Sequence, residues 1–407
     1  MSIVKVFDGT VEAGARIARE AAERLDYSLI DDDQITARIE SEFGIHAKHF
    51  QRTLRGGKSA FDHFTHESDQ HRTRLKLLLG EILQSDRLLL YGRFTQVIPA
   101  DIPHVLRVCL VSDLPHRIRA AQESMGLSPK EAERRVLRDN EQLKKWSLFA
   151  CGEDPWDASL YDLFLPVGKA SSEEAVELIC RNAADLVLQP NERSIERVKD
   201  FLLGARVELE IQKAGHQAGV VSRDGQITIT IERHTIMLSK LEEELRDIAK
   251  QVEGVRGVTC TVGPGFYQPG LYWRFNGELP NRVLLVDDEV EFVQTLSDRL
   301  KMREMGSAVV HDGEQALTFA EEEEPDVIVL DLKMPGIDGV EVLRRLKAKK
   351  PSIEVIILTG HGSEKDREAC LDLGAFAYLQ KPVDINVLSR KVKDAYEKVK
   401  AGGDHDS

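Results

Sequence analysis

VLLVDDE (residues 283–289) is an apolar run that turns acidic, and three later stretches also pass from apolar to polar residues: VIVLDLKMPGIDG (327–339), VIILTGHG (355–362) and AYLQKP (377–382). Short apolar runs that end in polar or turn residues are typical of buried parallel strands. With a further run at 307–310, they predict five strands within residues 282–399, each followed by a helix. This alternation predicts an α/β fold built on a doubly wound parallel sheet.

Five polar residues stand at or just beyond the ends of these predicted strands: Asp287, Asp288, Asp331, Thr359 and Lys381. Because the carboxyl ends of parallel strands share one edge of a sheet, these side chains should converge there. Carboxylates gathered in this way repel one another unless a cation lies among them, and oxygen ligands suit Mg²⁺. An aspartate can also take up a phosphoryl group as a nucleophile, while a lysine and a hydroxyl stabilise that group. These residues therefore predict a site of phosphoryl transfer.

The segment 282–399 resembles the receiver domain of two-component response regulators, which has a flavodoxin-like (βα)5 fold. The resemblance implies that Asp331 accepts a phosphoryl group from a sensor histidine kinase. It also implies that Asp287, Asp288, Asp331 and the backbone carbonyl of Lys333 hold Mg²⁺ in the acidic pocket.

The same resemblance assigns three further roles near the phosphoacceptor. Thr359 and Lys381 would contact the phosphoryl group, and Tyr378 stands at the position of the family's switch aromatic. Inward rotation of Tyr378 would couple to movement of Thr359 and reshape the face around the last two strands. Phosphorylation would in this way alter the contacts of the preceding domains.

The N-terminal part, residues 1–190, alternates amphipathic helical patterns with short apolar runs at 3–7, 88–91, 105–111 and 163–165. After the first run, Gly9 and Gly14 have the spacing of a phosphate-binding loop that opens a helix. Ala15 stands where such a loop has the lysine that reaches the β- and γ-phosphates, and Arg16 where it has the Mg²⁺-binding hydroxyl. The context predicts a nucleotide-binding loop that has lost two of its usual groups.

This region resembles the cytidylate kinase-like family of P-loop nucleoside monophosphate kinases. The residues that carry the likeness keep the family's order along the chain: Gly14, Ile17-Ala18, 25–31, 91–93, 106–108, Arg117-Ile118, 127–132, Asp139, 161–163 and 173–177. The resemblance implies nucleotide contacts, which would come from Gly9, Gly14, Arg16, Arg93 and Arg117.

Two departures from the family bear on its activity. Asp32 and Gln142 stand where the family commonly has arginines. Three readings of this domain therefore stay open: an active kinase, a nucleotide-binding domain without transfer, and a purely structural domain, because a fold alone does not imply a function.

Residues 195–265 predict a small α+β domain. Its predicted elements are strands at 207–211, 226–231 and 258–262 and a helix at 236–252. The segments 224–229 and 252–258 resemble a BON-type module, a family linked to membranes or protein partners. A linker rich in Gly, Pro and aromatic residues is predicted at 266–281.

The whole chain has 407 residues, and its 55 Lys and Arg against 69 Asp and Glu give a formal charge of −14. The length predicts more than one domain, and the acidic balance disfavours DNA as a partner. The sequence has no apolar stretch of transmembrane length, and its five cysteines are scattered, as is typical of reduced thiols. We therefore expect a cytoplasmic protein without an integral membrane segment, of undetermined oligomeric state.

Two functions from different classes follow. The first is a phosphorelay response regulator whose switch modulates the N-terminal domains and their protein or nucleotide ligand. The alternative is a cytidylate-type nucleoside monophosphate kinase that phosphorylation regulates. A third reading is a scaffold in which the receiver alone is active.

Overall fold

The structure is a computed structural model, and it describes residues 2–54, 66–167, 171–232, 235, 237–267, 279–280, 282–303, 305–360 and 363–403. They fall into two compact units, one made of 2–54 and 68–267 and the other made of 66–67 and the described residues from 279 onward. Most of the predicted linker, 266–281, lies outside the described residues. Among the described helices, none combines the length and the apolar character that crossing a membrane requires.

A five-stranded parallel sheet forms the base of the first unit. Its strands are β1 (Ile3–Gly9), β2 (Ser28–Asp31), β3 (Leu88–Tyr91), β4 (Val105–Val111) and β5 (Leu163–Pro166). Their order is β2–β3–β1–β4–β5, and every neighbouring pair is parallel. The carboxyl ends of the strands therefore meet at one edge, where the loop after β1 lies.

Helices cover both faces of this sheet. They are α1 (Ala13–Leu25), α2 (Asp32–Phe43), α3 (Ala47–Leu54), α4 (Glu67–Ile82), α5 (Leu114–Met125), α6 (Pro129–Cys151) and α7 (Ser172–Ala183). On one face, Ile17 of α1 and Ile179 of α7 are fully buried in one apolar core. On the other, Leu78 of α4 and Trp146 of α6 are buried in a second core. The N-terminal part thus has the layered α/β architecture that its alternating pattern predicts.

A smaller sheet completes the first unit. Its elements are α8 (Glu192–Lys213), β6 (Gly219–Arg223), β7 (Gln226–Ile231), α9 (Leu238–Lys250) and β8 (Gly257–Val262). The strand order is β6–β7–β8, with β6 antiparallel and β8 parallel to β7. Asp224 and Gly225 join β6 to β7 with φ angles of 51° and 73°, the left-handed backbone of a tight hairpin that an Asp-Gly pair favours.

The predicted strand at 207–211 is wrong, because these residues lie inside α8. The sequence VELEI alternates apolar and acidic residues, which mimics the period of a strand. Val207 and Ile211 are instead four residues apart on one buried helix face, and Glu208 is buried beside them. A capping box between Asn191 and Ser194 begins the helix well before the apparent strand.

Helix α8 belongs to both cores of the first unit. Val198, near its start, packs in the core of the large sheet, whereas Val207 packs in the core of the small sheet. The buried Glu208 carboxylate accepts hydrogen bonds from the Thr73 hydroxyl at 2.9 Å and from Lys76 Nζ at 2.8 Å. The small sheet is therefore fixed to the large one through a shared helix.

The second unit is a five-stranded parallel sheet with a helix after every strand. Its strands are β9 (Val283–Val286), β10 (Ser307–Val310), β11 (Val327–Leu330), β12 (Glu354–Thr359) and β13 (Ala377–Gln380). Its helices are α10 (Val290–Lys301), α11 (Gly313–Glu323), α12 (Gly339–Lys349), α13 (Glu364–Asp372) and α14 (Ile385–Gly403). The order β10–β9–β11–β12–β13 confirms the predicted doubly wound, flavodoxin-like sheet.

Apolar cores on both faces explain why these strands are continuous apolar runs. Val342 of α12 and Cys370 of α13 are buried in one core, and Val293 of α10 and Leu388 of α14 in the other. Because both faces are covered, polar residues are confined to the strand ends.

Candidate functional site

Three carboxylates meet at the carboxyl edge of the second sheet. Asp287 and Asp288 follow β9, and Asp331 follows the neighbouring strand β11. One oxygen of each can be chosen so that all three lie within 4.8 Å of one another. Asp287 and Asp331 are only 4% and 5% exposed, so their charges are poorly screened by water and require a cation nearby.

Lys381 supplies one positive charge to this cluster. Its Nζ lies 2.7 Å from an oxygen of Asp287, 3.0 Å from one of Asp331 and 3.1 Å from one of Glu289. The same nitrogen lies 4.6 Å from the centre of the Phe292 ring, within the range of a cation–π contact. Sequence reasoning missed Glu289 and Phe292; the acidic run at 287–289 was the available signal for the first.

Burial and ion pairing have opposing effects on the pKa of each charged group at this site. Burial disfavours the charged form of Lys381, but its hydrogen bonds to Asp287 and Asp331 outweigh that effect and raise its pKa. Burial raises the pKa of Asp287, although Lys381 and the backbone amide of Glu289 oppose the rise. Lys381 is therefore a permanent cation at neutral pH.

The backbone around Asp331 holds its side chain in place. The amide of Leu332 donates to Asp331 Oδ1 at 2.6 Å, and that of Lys333 at 3.4 Å. Gly339, the first residue of α12, lies directly beneath, because a Cβ atom there would be 2.3 Å from the Asp331 carbonyl oxygen. A glycine is required for this close approach.

Thr359 and Tyr378 lie on the two adjacent strands at the same side of the sheet. Thr359 ends β12 and is fully buried, and its carbonyl accepts from the Lys381 amide at 2.9 Å. Tyr378 pairs with Ile357 across β12 and β13. Its hydroxyl is buried without a hydrogen-bond partner among the described residues, and burial raises its pKa. Among the described residues, no hydrogen bond to its hydroxyl therefore holds the Tyr378 ring in position.

The donor set of the acidic pocket fits a hard divalent cation. Three carboxylates supply oxygen ligands only, which suits Mg²⁺ and not the softer metals that favour sulfur or imidazole. The cluster carries three negative charges against the one of Lys381, so a divalent ion would bring it close to balance. The residues that could hold such an ion here are Asp287, Asp288 and Asp331.

A cleft of about 480 Å³ lies at the carboxyl edge of the first sheet. Its charged lining residues are Asp8, Asp32, Arg93, Arg117, Arg135, Arg138 and Asp139. Arg93 opens a 3₁₀ turn after β3, and Arg117 lies on α5. Of the predicted nucleotide contacts, these two arginines line the cleft.

The other three predicted nucleotide contacts, Gly9, Gly14 and Arg16, already contact other residues of the protein. The Arg16 guanidinium donates to the Ser172 hydroxyl at 2.8 Å. A Cβ atom at Gly9 would lie 2.5 Å from the Trp156 ring, and one at Gly14 would lie 2.2 Å from the Asp8 carboxyl. These glycines are needed for packing, whatever else the loop does.

Asp32 takes part in positioning Arg93. Its two oxygens accept from the amides of Arg93 at 2.9 Å and Phe94 at 3.1 Å, and the Arg93 Nε lies 3.6 Å away. Burial raises the pKa of Asp32 to about 6, although the two amides and the guanidinium oppose the rise. A carboxylate at this position thus organises the turn that carries the arginine.

Two family models match separate parts of this chain. Residues 283–393 match the response regulator receiver domain, and residues 11–169 match the cytidylate kinase-like family. The C-terminal part of the chain is therefore a response regulator receiver domain, and the N-terminal part is a cytidylate kinase-like domain. Neither match reaches 195–265, where the BON-like resemblance is not confirmed.

Curated relatives align with the receiver domain. The alkaline phosphatase synthesis transcriptional regulatory protein PhoP of Bacillus subtilis is 38% identical over 112 residues, which are 28% of this chain and 47% of that protein. The transcriptional regulatory protein PrrA of Mycobacterium tuberculosis is 40% identical over 112 residues, 28% of this chain and 48% of that protein. The response regulator MprA of Mycobacterium avium is 33% identical over 126 residues, 31% of this chain and 55% of that protein. The chain thus spans about half the length of these relatives.

Solved structures of receiver domains are also similar to part of this chain. A response regulator receiver domain protein from Clostridium thermocellum is 32% identical, with a TM-score of 0.29, over 29% of this chain and 96% of that chain. One from Methanospirillum hungatei is 26% identical, with a TM-score of 0.30, over 30% of this chain and 98% of that chain.

Proposed function

We propose that this protein is a two-component phosphorelay response regulator in which Asp331 is the phosphoacceptor. The observation that carries the proposal is the buried triad of Asp287, Asp331 and Lys381, with Lys381 Nζ within 3.0 Å of both carboxylates. A lysine so placed can neutralise charge on a phosphoryl group that joins Asp331. The matched receiver model and the relatives described above support this role.

The transfer begins with a phosphohistidine of a sensor histidine kinase. A carboxylate oxygen of Asp331 attacks phosphorus, the P–N bond breaks, and the imidazole nitrogen keeps the electron pair. Mg²⁺, held by Asp287, Asp288, Asp331 and the Lys333 carbonyl, would neutralise negative charge on the transferred group. Lys381 and the Thr359 hydroxyl then hold the phosphoryl oxygens.

The switch is carried by Thr359 and Tyr378. When Thr359 turns toward the phosphoryl group, it vacates space that the untethered Tyr378 ring can enter. The face around β12 and β13 then changes shape. We propose that this change modulates the N-terminal domain and the small sheet, whose ligand is a protein and not DNA. A cytoplasmic location follows from the proposed kinase partner.

The test is phosphorylation of the full chain by acetyl phosphate in the presence of Mg²⁺. Intact-mass spectrometry should show the addition of one phosphoryl group to the wild type and to Asp372→Asn, a variant of an exposed carboxylate. The Asp331→Asn variant should gain none. Absence of a mass increase in the wild type, or its persistence in Asp331→Asn, would overturn the proposal.

A further inference from the structure

The loop after β1 has a carboxylate of its own lying against it. Asp8 accepts a hydrogen bond from the Thr10 amide at 2.7 Å, and its carboxyl lies against Gly14, where a Cβ atom would be 2.2 Å from its carbon. The Gly14 amide donates to the Thr10 hydroxyl at 2.9 Å. Two amides that a phosphate-binding loop would offer to a phosphate thus donate instead to the side chains of Asp8, on β1, and Thr10.

Asp8 is held in this position from the opposite side. The Tyr91 hydroxyl, at the end of β3, donates to Asp8 Oδ2 at 2.5 Å. Both carboxylate oxygens therefore have a donor. The carboxyl group lies at the first turn of α1, where the helix dipole favours an anion.

Arg117 is a second and independent sign of an anion site. This arginine lines the same cleft, is only 7% exposed, and has an Nε atom without a hydrogen-bond partner among the described residues. Its Nη1 donates to the Asn140 side chain at 2.6 Å. Burial lowers the pKa of Arg117, although Asp8 and Asp139 oppose the decrease. A guanidinium buried in this way is stabilised by a nearby negative charge.

We propose that Asp8 is a built-in anion that occupies the phosphate loop, so that the cleft excludes the phosphate chain of a nucleotide until this carboxylate is removed. An entering polyphosphate would meet a like charge and would find the Thr10 and Gly14 amides already engaged. The loop and Arg117 together form a latent site for inorganic phosphate or pyrophosphate. This inference does not depend on phosphorylation of Asp331.

The experiment measures pyrophosphate binding to the full chain by calorimetry, without divalent cations. Asp8→Asn removes the charge but keeps the shape, and Asp8→Ala removes the whole group. Both should bind pyrophosphate at least about tenfold more tightly than the wild type. Asp33→Asn, at an exposed carboxylate of the same unit, is the matched control and should behave as the wild type. Because every variant has the same receiver domain, binding there cancels in the comparison.

Arg117 provides the second arm. Adding Arg117→Met to Asp8→Asn should abolish the gain in pyrophosphate affinity, since it removes the buried guanidinium that lines the same cleft as the loop. Thermal unfolding of each variant checks that the first unit stays folded, and Asp8→Asn carries the test if Asp8→Ala does not fold. Equal affinity of wild type and folded Asp8→Asn, or a gain that survives the loss of Arg117, would overturn the proposal.

Discussion

The two parallel sheets of this protein gather aspartates at the same place, the carboxyl edge, but they use them differently. In the receiver domain, Asp287 and Asp331 share the single cation of Lys381, and the pocket retains excess negative charge. In the cytidylate kinase-like domain, Asp8 and Asp32 are satisfied by backbone amides, Tyr91 and Arg93. In the proposed function the first edge accepts a cation and a phosphoryl group, whereas the carboxylates of the second edge are hydrogen-bonded within the protein.

The difference shows that the carboxyl edge of a parallel sheet is a place for chemistry without fixing which chemistry occurs. The chemistry at each edge depends on the hydrogen-bond and ion-pair partners that each carboxylate already has. Variants that remove or add one partner therefore test the comparison directly.

Removing Lys381 should have the largest effect. Lys381→Met leaves the buried carboxylates uncompensated and takes away the charge that stabilises the transferred group, so phosphorylation by acetyl phosphate should slow by about a thousandfold. Lys365→Met, at an exposed lysine of α13, should leave the rate unchanged. The rate of phosphorylation is followed by intact-mass spectrometry. Equal rates for Lys381→Met and Lys365→Met would contradict the role of Lys381.

The next effect concerns the shared helix of the first unit. Lys76→Met leaves the buried Glu208 carboxylate without its ion pair, which should cost roughly 3 kcal/mol of unfolding free energy. The double variant Lys76→Met/Glu208→Met should recover most of that loss. Lys199→Met, which removes an exposed ion pair with Glu196 on the same helix, should cost less than about 1 kcal/mol. The unfolding free energies are measured by calorimetry. An equal loss for Lys199→Met and Lys76→Met would contradict a stabilising role for the buried ion pair of Lys76 and Glu208.

A pair of glycines sharpens the account of the phosphoacceptor loop. Gly339→Ala places a methyl group against the Asp331 backbone and should destabilise the receiver domain by about 2 kcal/mol. At Gly360 a Cβ atom would come no closer than 3.9 Å to its neighbour, the Lys381 side chain, so Gly360→Ala should be nearly neutral. Stability is measured by denaturant unfolding. Equal losses of unfolding free energy for Gly339→Ala and Gly360→Ala would contradict the requirement for a glycine beside the Asp331 backbone.

The smallest effect is a pH dependence of stability. Asp326, at the amino end of β11, has its pKa raised to about 6 chiefly by burial, with Arg282 and Lys400 opposing the rise. The folded state therefore holds a proton that the unfolded chain releases near pH 4, and stability falls as the pH rises from about 4 through 6. Asp32 contributes to the same pH range, because its pKa is also raised to about 6. Asp326→Asn should therefore reduce the slope without abolishing it, and raise stability at pH 7 by about 1 kcal/mol. Asp372→Asn, at an exposed carboxylate, should leave the slope unchanged; an equally unchanged slope in Asp326→Asn would contradict the role of Asp326.

The sequence predicted the receiver sheet well, because strands buried on both faces are continuous apolar runs and end at polar residues. The convergence of Asp287, Asp331 and Lys381 followed from that topology alone. The short strand β2 was not predicted, since SLID contains two polar residues in four. The alternating pattern at 207–211 predicts a strand in which Glu208 faces solvent. Its partners Thr73 and Lys76 lie more than a hundred residues earlier in the chain, so the sequence pattern could not show that it is buried.

Tertiary contacts also limited what could be predicted about the candidate sites. Glu289 and Phe292 meet Lys381 only because β9 and β13 belong to one sheet. The position of Asp8 against Gly14 likewise depends on Tyr91, at the end of a neighbouring strand. Loop spacing indicated a phosphate-binding shape, but it could not show that a carboxylate already lies there.

The most direct test of the difference between the two edges is to locate the phosphoryl group on the full chain. After incubation with acetyl phosphate and Mg²⁺, borohydride reduction of the acyl phosphate followed by peptide mass spectrometry identifies the modified aspartate. The account predicts modification at Asp331, with none at Asp8 or Asp32. A phosphoryl group on either N-terminal aspartate, or an unmodified Asp331, would contradict it.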